Sequence, residues 1–217
     1  NLLANVTQFG LRIGLGPGDK ALGCLPLFHS FGVTVTLLWV LLDGIGLVTY
    51  PSPLDVPKLA GLIEKHRISL LLTTPTFLRG YLRKAKREQL ESLSLIVTGA
   101  EKLPSSLAAA FKQTFGKDVM EGYGLTETSP ASNVNLPTLA EPADGREVLP
   151  SHRPGSVGQL LPGLAVRITD ALTEAPLRLD QQGIIWFKGA NVFSGYLNQP
   201  RRTEEVLRDG WLRTGDL

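Results

Sequence analysis

Cysteine is nearly absent from this sequence. Cys24 stands alone among 217 residues, so no disulfide can form within the chain, which fits a reducing compartment. Its position in an apolar run marks it as a packed side chain rather than a nucleophile. With only 3 histidines beside that cysteine, a zinc site has too few ligands. No Ser/His/Asp or Cys/His grouping supports a hydrolytic triad. Neither charge sign is in excess. Lys and Arg total 22 against 20 Asp and Glu, and a net charge of +2 gives no argument for nucleic acid as a partner. Long hydrophobic runs are missing too. The most apolar stretch, FGVTVTLLWVLL at 31–42, is closed by Asp43, Gly44 and Gly46. A membrane helix needs about 20 such residues, so a buried helix is expected here. No basic segment followed by a small-residue cleavage site opens the chain, so no signal peptide is expected. Internal repeats and low-complexity tracts are also lacking. The first residue is Asn1 and the last residues are WLRTGDL, which leads to the expectation of a piece of a longer protein; the apolar 31–42 stretch leaves a membrane-associated parent open.

What is present is an ordinary globular balance, 43% hydrophobic and 19% charged. That suits one large domain or a domain with a small companion. Helical spacing covers residues 1–13 and ends at Gly14–Gly18. Short apolar runs follow at 21–25 and 45–50. Asp55 is a candidate N-cap for a helix carrying Leu59, Leu62 and Ile63 on one face. SLLLT (69–73) and LSLIVT (93–98) predict strands, Pro75–Lys86 a helix between them. Pro104 opens a further helix that Gly116 stops, and Asp118–Glu121 predicts a short strand. Strands apolar on both faces, alternating with helices, predict an α/β fold with a mostly parallel sheet flanked by helices over residues 1–136. Residues 137–155, rich in Pro and Gly, predict a linker or long loop. Residues 156–217, with LAVRIT and GIIWFK, predict a smaller antiparallel β-rich subdomain, with a short helix at most over Thr203–Arg208.

In open parallel sheets ligands bind beyond the carboxyl ends of the strands. Two polar, glycine-bearing loops are predicted there, TGAEK at 98–102 and GYGLTE at 122–127. EGYGLTETSP (121–130) is too polar for a buried strand and packs poorly as a helix, so its GYGLTE part after the 118–121 strand is expected as a loop. Its glycines allow close backbone approach, Tyr123 offers a flat face, Thr126 a hydroxyl, and Glu127 a carboxylate suited to a hard cation. A base, a phosphate and Mg²⁺ would satisfy that set. A plain polar turn would satisfy it as well. His29, in LPLFHSFG, is either a hydrogen-bonded, partly buried histidine or a group at the mouth of an apolar pocket.

Five stretches in order resemble the motifs of the adenylate-forming, or AMP-binding, superfamily of acyl-CoA synthetases, nonribosomal adenylation domains and luciferases. They are LPLFHSFG (25–32), TGAEKL (98–103), EGYGLTET (121–128), GIIWFKGANVFSGYLNQP (183–200) and GWLRTGDL (210–217). NLLANVTQ, YPSPL and GAEKL add a resemblance to the synthetase part of bacterial bifunctional acyl-[acyl carrier protein] synthetase/2-acylglycerophosphoethanolamine acyltransferases. The resemblance implies a fragment of a large N-terminal domain whose β-rich part is a distorted barrel. It implies activation of a fatty acid by ATP through acyl-AMP, then transfer to the thiol of acyl carrier protein or CoA. It also implies roles. Gly99, Ala100 and Glu101 line the base with their backbone. Gly122, Tyr123 and Gly124 form the nucleotide motif, with Tyr123 stacked on adenine. Thr126 contacts the α-phosphate, Glu127 holds Mg²⁺, Asp216 binds the ribose, and His29 borders the acyl site near Phe31 and Gly32.

Two elements of the family pattern have no counterpart in the sequence: a phosphate loop ending in Lys, and a C-terminal domain with a catalytic lysine. The 217-residue chain alone is therefore expected not to adenylate a fatty acid at a useful rate, which robust ATP–pyrophosphate exchange by that chain would contradict. Gly183-Ile184-Ile185 departs from the Gly-Glu-Leu of many relatives without touching an expected ligand contact. Rival readings are a CoA ligase or adenylation domain for another carboxylate, and a non-catalytic nucleotide-binding module. Arg79, Arg83, Lys84, Lys86 and Arg87 are either a solvated helix face or a dock for an acidic carrier protein or anionic headgroups.

Overall fold

The computed structural model describes residues 1–137 and 151–217; most of the expected linker, 138–150, lies outside them. Two sheets organise the described chain. The larger contains β1 (Lys20–Gly23), β2 (Gly46–Thr49), β3 (Leu70–Thr73), β4 (Leu95–Thr98), β5 (Met120–Gly124), β6 (Ala131–Val134) and β7 (Gln159–Leu160), in spatial order β2-β1-β3-β4-β5-β6-β7. β1 to β5 pair with one another in parallel. β6 and β7 extend the sheet antiparallel. The mostly parallel sheet is thus present, with an antiparallel edge that alternation of helix and strand did not reveal.

Local signals start and stop the helices. In α1 (Leu2–Ile13) the Asn1 side chain accepts from the Leu2 N–H, and Gly14 closes the helix at φ 70°. A π-helical segment, Phe31–Leu38, runs into α2 (Trp39–Leu42), so the apolar helix expected at 31–42 is wider in its first turns than an α-helix. Gly32 lies so near the preceding loop that a Cβ would sit 2.1 Å from the Pro26 carbonyl oxygen. The carboxylate of Asp55 caps α3 (Val56–His66) by accepting from the Lys58 N–H. α4 (Pro75–Lys84) begins at the Thr74 cap with Pro at its first position. α5 (Ser105–Phe115) ends at Gly116, φ 70°.

The strands bury both faces because helices cover both. Leu71 and Ile96 join Leu59, Ile63, Leu78 and Phe111 of α3, α4 and α5 on one side. Leu70, Leu72, Leu95 and Val97 join Val6 and Phe9 of α1 and Val35 and Trp39 on the other. That two-sided cover explains the unbroken apolar reading of SLLLT and LSLIVT. The ring of Phe9 meets that of Trp39 edge-on at 4.9 Å, and the indole N–H of Trp39 donates to Asp43 at 2.6 Å.

The second sheet contains β8 (Leu164–Thr169), β9 (Ile184–Gly189), β10 (Leu207–Arg208) and β11 (Trp211–Arg213), ordered β10-β11-β9-β8 and antiparallel throughout. On one face the guanidinium of Arg167 lies 4.5 Å from the Trp186 ring and 4.6 Å from the Trp211 ring. The short helix expected over 203–208 instead spans Pro200–Val206 as α6. Proline occupies its first position, and Leu207 leaves it to pair with Leu212.

The loop expected over 122–127 is corrected at its start, since Gly122, Tyr123 and Gly124 continue the strand expected to end at Glu121. The polarity that argued against a strand is accommodated locally. The Glu121 carboxylate is buried and accepts from the Leu103 N–H at 2.9 Å, while Gly122 and Tyr123 pair with Val134 and Asn133 of β6. Only 125–130 turn away, through a 3₁₀ turn at Thr126–Thr128.

Candidate functional site

A cavity of about 290 Å³ opens at the carboxyl ends of β4 and β5, beside the start of the Phe31–Leu38 helix. His29, Gly99, Ala100, Gly122, Tyr123, Gly124, Thr126 and Glu127 all line it, although they come from three separate stretches of sequence. Glu101 and Asp216 do not. The Glu101 carboxylate turns to the side, where it accepts from the Thr76 hydroxyl at 2.7 Å. Asp216 reaches the cavity indirectly, through a hydrogen bond that its carboxylate accepts from the Tyr123 hydroxyl.

Each lining group has a backbone reason for its place. Gly99 leaves β4 and donates to the Thr73 carbonyl at 3.2 Å, beside the Phe31 ring, which a Cβ there would touch at 3.4 Å. Ala100 follows in a left-handed conformation, φ 66°, which costs a non-glycine residue energy and bares its amide edge. Gly124 is required by the hairpin rather than by a ligand, since a Cβ would sit 1.9 Å from the Pro130 carbonyl oxygen. The Thr126 hydroxyl lies 3.3 Å from that of Ser30, which joins the 126–128 turn to the loop bearing His29. His29 is exposed, and its Nδ1 accepts from the Phe31 N–H at 3.1 Å, so the ring caps the following helix while facing the cavity.

The electrostatics of the site are set by two tyrosine–carboxylate pairs. Burial, reinforced by the bond to Asp216, pushes the Tyr123 hydroxyl far above its usual range. The bond to Glu127 does the same, more modestly, for Tyr196, whose hydroxyl donates to Glu127 Oε1 at 2.6 Å. Both phenols therefore stay protonated donors at neutral pH. Among the described residues no group of three or more His, Cys, Asp or Glu could enclose a metal. Glu127 alone fits a cation that draws its other ligands from phosphates and water, as Mg²⁺ does.

Sequence reasoning assigned no role to Tyr196, Asn191 or Ser30. Asn191 is buried, and its amide donates to the Thr128 and Ala131 carbonyls at 2.9 and 3.2 Å. The Phe193 N–H donates to the Glu127 carbonyl at 2.8 Å. NVFSGY was visible as part of a motif, but nothing in its spacing indicated that it grips a turn more than 60 residues earlier. An apolar hollow of about 180 Å³ adjoins the site. Leu25, Phe28, Phe31 and Phe77 line it, and His29 and Ala100 are shared with the first cavity. Cys24 belongs to the core with α3–α5, 5% exposed, with burial pushing its thiol up to about 11. No helix among the described residues is long and apolar enough to cross a membrane.

Residues 1–197 match the family profile described as AMP-binding enzyme. The long-chain-fatty-acid–CoA ligase of Bacillus subtilis is 32% identical over 100% of this chain, which corresponds to 37% of that protein. A 3-hydroxybenzoate–CoA/4-hydroxybenzoate–CoA ligase of Thauera aromatica is 30% identical over 94% of the chain and 37% of its own length. The chain thus spans little more than a third of these curated relatives. Among solved structures, ATP-bound MatB from Rhodopseudomonas palustris superposes with a TM-score of 0.85 at 30% identity, covering 99% of this chain and 40% of that one.

Proposed function

The chain belongs to the AMP-binding enzyme family, and on that footing we propose that it is the nucleotide-holding centre of an ATP-dependent ligase that activates a fatty acid. In the first half-reaction the substrate carboxylate attacks the α-phosphorus of ATP, giving acyl-AMP and pyrophosphate. In the second, a thiol displaces AMP to form the thioester. The observation that carries this reading is the convergence of His29, Gly99–Ala100 and Gly122–Glu127 on one cavity at the strand ends, with Asp216 tied to it through Tyr123.

The roles follow from chemistry. Two anions must meet, and their repulsion is the main obstacle. Mg²⁺, when bound, would neutralise phosphate charge. Glu127 is the carboxylate that would hold it. Thr126 would donate to the α-phosphate, and Ser30 at 3.3 Å can orient that hydroxyl. Gly99 and Ala100 present backbone along one wall for the base, with the Tyr123 ring on another. Asp216 would take the ribose hydroxyls, sharing its carboxylate with the Tyr123 donor. The hollow beside His29 and Phe31 has an apolar lining suited to the start of an acyl chain. The relatives named above include ligases for both long-chain and aromatic acids, so an aromatic carboxylate is the second reading. CoA is the acceptor in the names of those relatives, and the sequence resemblance points to acyl carrier protein.

Fatty-acid-dependent ATP–pyrophosphate exchange by the full-length protein tests the activity. Glu127→Gln is expected to lower it by about 10²–10³-fold, the scale of losing one preorganised electrostatic group. Unchanged exchange would remove Glu127 from the mechanism and favour a non-catalytic binding module. Thioester formation with CoA against holo acyl carrier protein separates the acceptors.

A further inference from the structure

Glu127 is held at two points by the segment that follows β9, and only one of them is backbone. The Phe193 N–H fixes its carbonyl at 2.8 Å. The Tyr196 hydroxyl donates to Oε1 at 2.6 Å, across 69 residues of sequence. From these contacts, and resting on the role proposed above for Glu127, we infer that Tyr196 is a positioning residue that fixes one carboxylate oxygen and presents the other to the divalent cation carried by ATP.

The phenol is itself held firmly. Its ring meets Phe193 edge-on at 4.9 Å and 72°, the Arg202 guanidinium lies over it at 4.8 Å, and its backbone N–H donates to the Thr203 hydroxyl at 2.9 Å. A glutamate side chain turns about three bonds, and leaving it free costs ordering entropy each time it must bind. A hydrogen bond made beforehand removes part of that cost. The chemistry of the donor matters as much as its position. A lysine or arginine at this place would neutralise Glu127 and compete with the cation. A tyrosine donates one proton and leaves the negative charge intact. Among the described residues no cation forms an ion pair with Glu127. With Oε1 engaged by Tyr196, Oε2 accepts no hydrogen bond from the described residues and is the ligand position left open. One oxygen rather than two suits the octahedral, monodentate habit of Mg²⁺.

Two ligand titrations of the full-length protein test the inference. The first is Mn²⁺-dependent binding of ATP, followed by the Mn²⁺ paramagnetic resonance signal. The second is metal-free binding of AMP, which needs only the base and ribose contacts. Tyr196→Phe keeps the ring, its Phe193 contact and its Arg202 contact, and removes only the hydroxyl. The half-saturating Mn²⁺ concentration is expected to rise about tenfold, the effect of losing an outer partner of a metal ligand, while AMP binding stays within twofold. Arg202→Gln, which disturbs the ring but not the hydroxyl, is expected to leave the Mn²⁺ dependence as it is. Unchanged Mn²⁺ dependence in Tyr196→Phe overturns the inference. So does a parallel loss of AMP binding, which would mean a merely structural role, or an equal effect of Arg202→Gln, which would assign the effect to ring packing. Glu127→Gln is measured alongside. If it too leaves Mn²⁺ binding unchanged, the metal role of Glu127 fails, and that failure is distinct from a failure of Tyr196 alone.

Discussion

Strand β3 of the first sheet and strand β8 of the second differ in what covers them. All four residues of β3 are buried, between α3–α5 on one face and α1 with the 31–42 helix on the other. In β8 only the terminal Leu164 and Thr169 are buried. Its centre lies at the sheet edge, with Arg167 between two tryptophans and Val166 41% exposed. The first sheet rests on apolar burial on both faces. The second buries Ile184, Trp186, Phe187 and Leu212 but leaves the centre of β8 to cation–ring contacts, and hydrogen bonds from the segment after β9 join it to the turn that carries Glu127. The site therefore lies where a robust scaffold meets a fastened one.

The sharpest way to break that contrast is a matched pair of truncations. Leu71→Ala should cost about 2–5 kcal/mol in urea unfolding, as for other fully buried leucines, whereas Val166→Ala should stay within about 0.5 kcal/mol. Comparable losses would mean that β8 is packed in solution. Next in size is an alkaline effect specific to the first sheet. The Cys24 thiol ionises near 9.0 when unexposed to burial and near 11 in the fold, so the folded state holds the proton more tightly. Stability is fully present below pH 9 and is lost as pH rises through 11, by about 2–3 kcal/mol. Urea midpoints from pH 8 to pH 11 measure the slope, and Cys24→Ala should flatten it. Tyr81, raised chiefly by burial, acts in the same direction.

A smaller change targets the fastening. Asn191→Ala removes two donors from the turn and should cost about 1–3 kcal/mol, with faster amide hydrogen exchange at 126–131 while β3 and β4 keep their protection. Equal acceleration in β3 would show that the two regions open together. The smallest effect is expected for Arg167→Ala, about 1 kcal/mol for exposed cation–ring contacts, read as a shift in thermal midpoint at constant activity.

Much of the first sheet was legible because its signals are local. Asp55, Gly14 and Gly116 act on neighbouring peptide groups, and each fulfils the capping role its residue type suggests. SLLLT and LSLIVT read as two-sided strands because helices supply two apolar walls. The antiparallel edge was not legible: ASNV at 131–134 is too polar and too short to mark a strand, and it becomes β6 by pairing with β5. Residues 122–124 misled for a related reason. Two glycines around a tyrosine read as a loop, and they become strand by pairing with Val134, Asn133 and Ala131 of β6.

The sequence by itself determined which side-chain chemistry is available at the strand ends, because glycine, tyrosine, threonine and glutamate carry that chemistry wherever they stand. It also determined the alternation of strand and helix, since the periods of burial are written in consecutive residues. Only the tertiary structure decided how those residues are held. Tyr123 with Asp216 and Glu127 with Tyr196 are joined across 93 and 69 residues. A hydrogen bond depends on distance and direction in space, and residue spacing along the chain fixes neither once two sheets intervene.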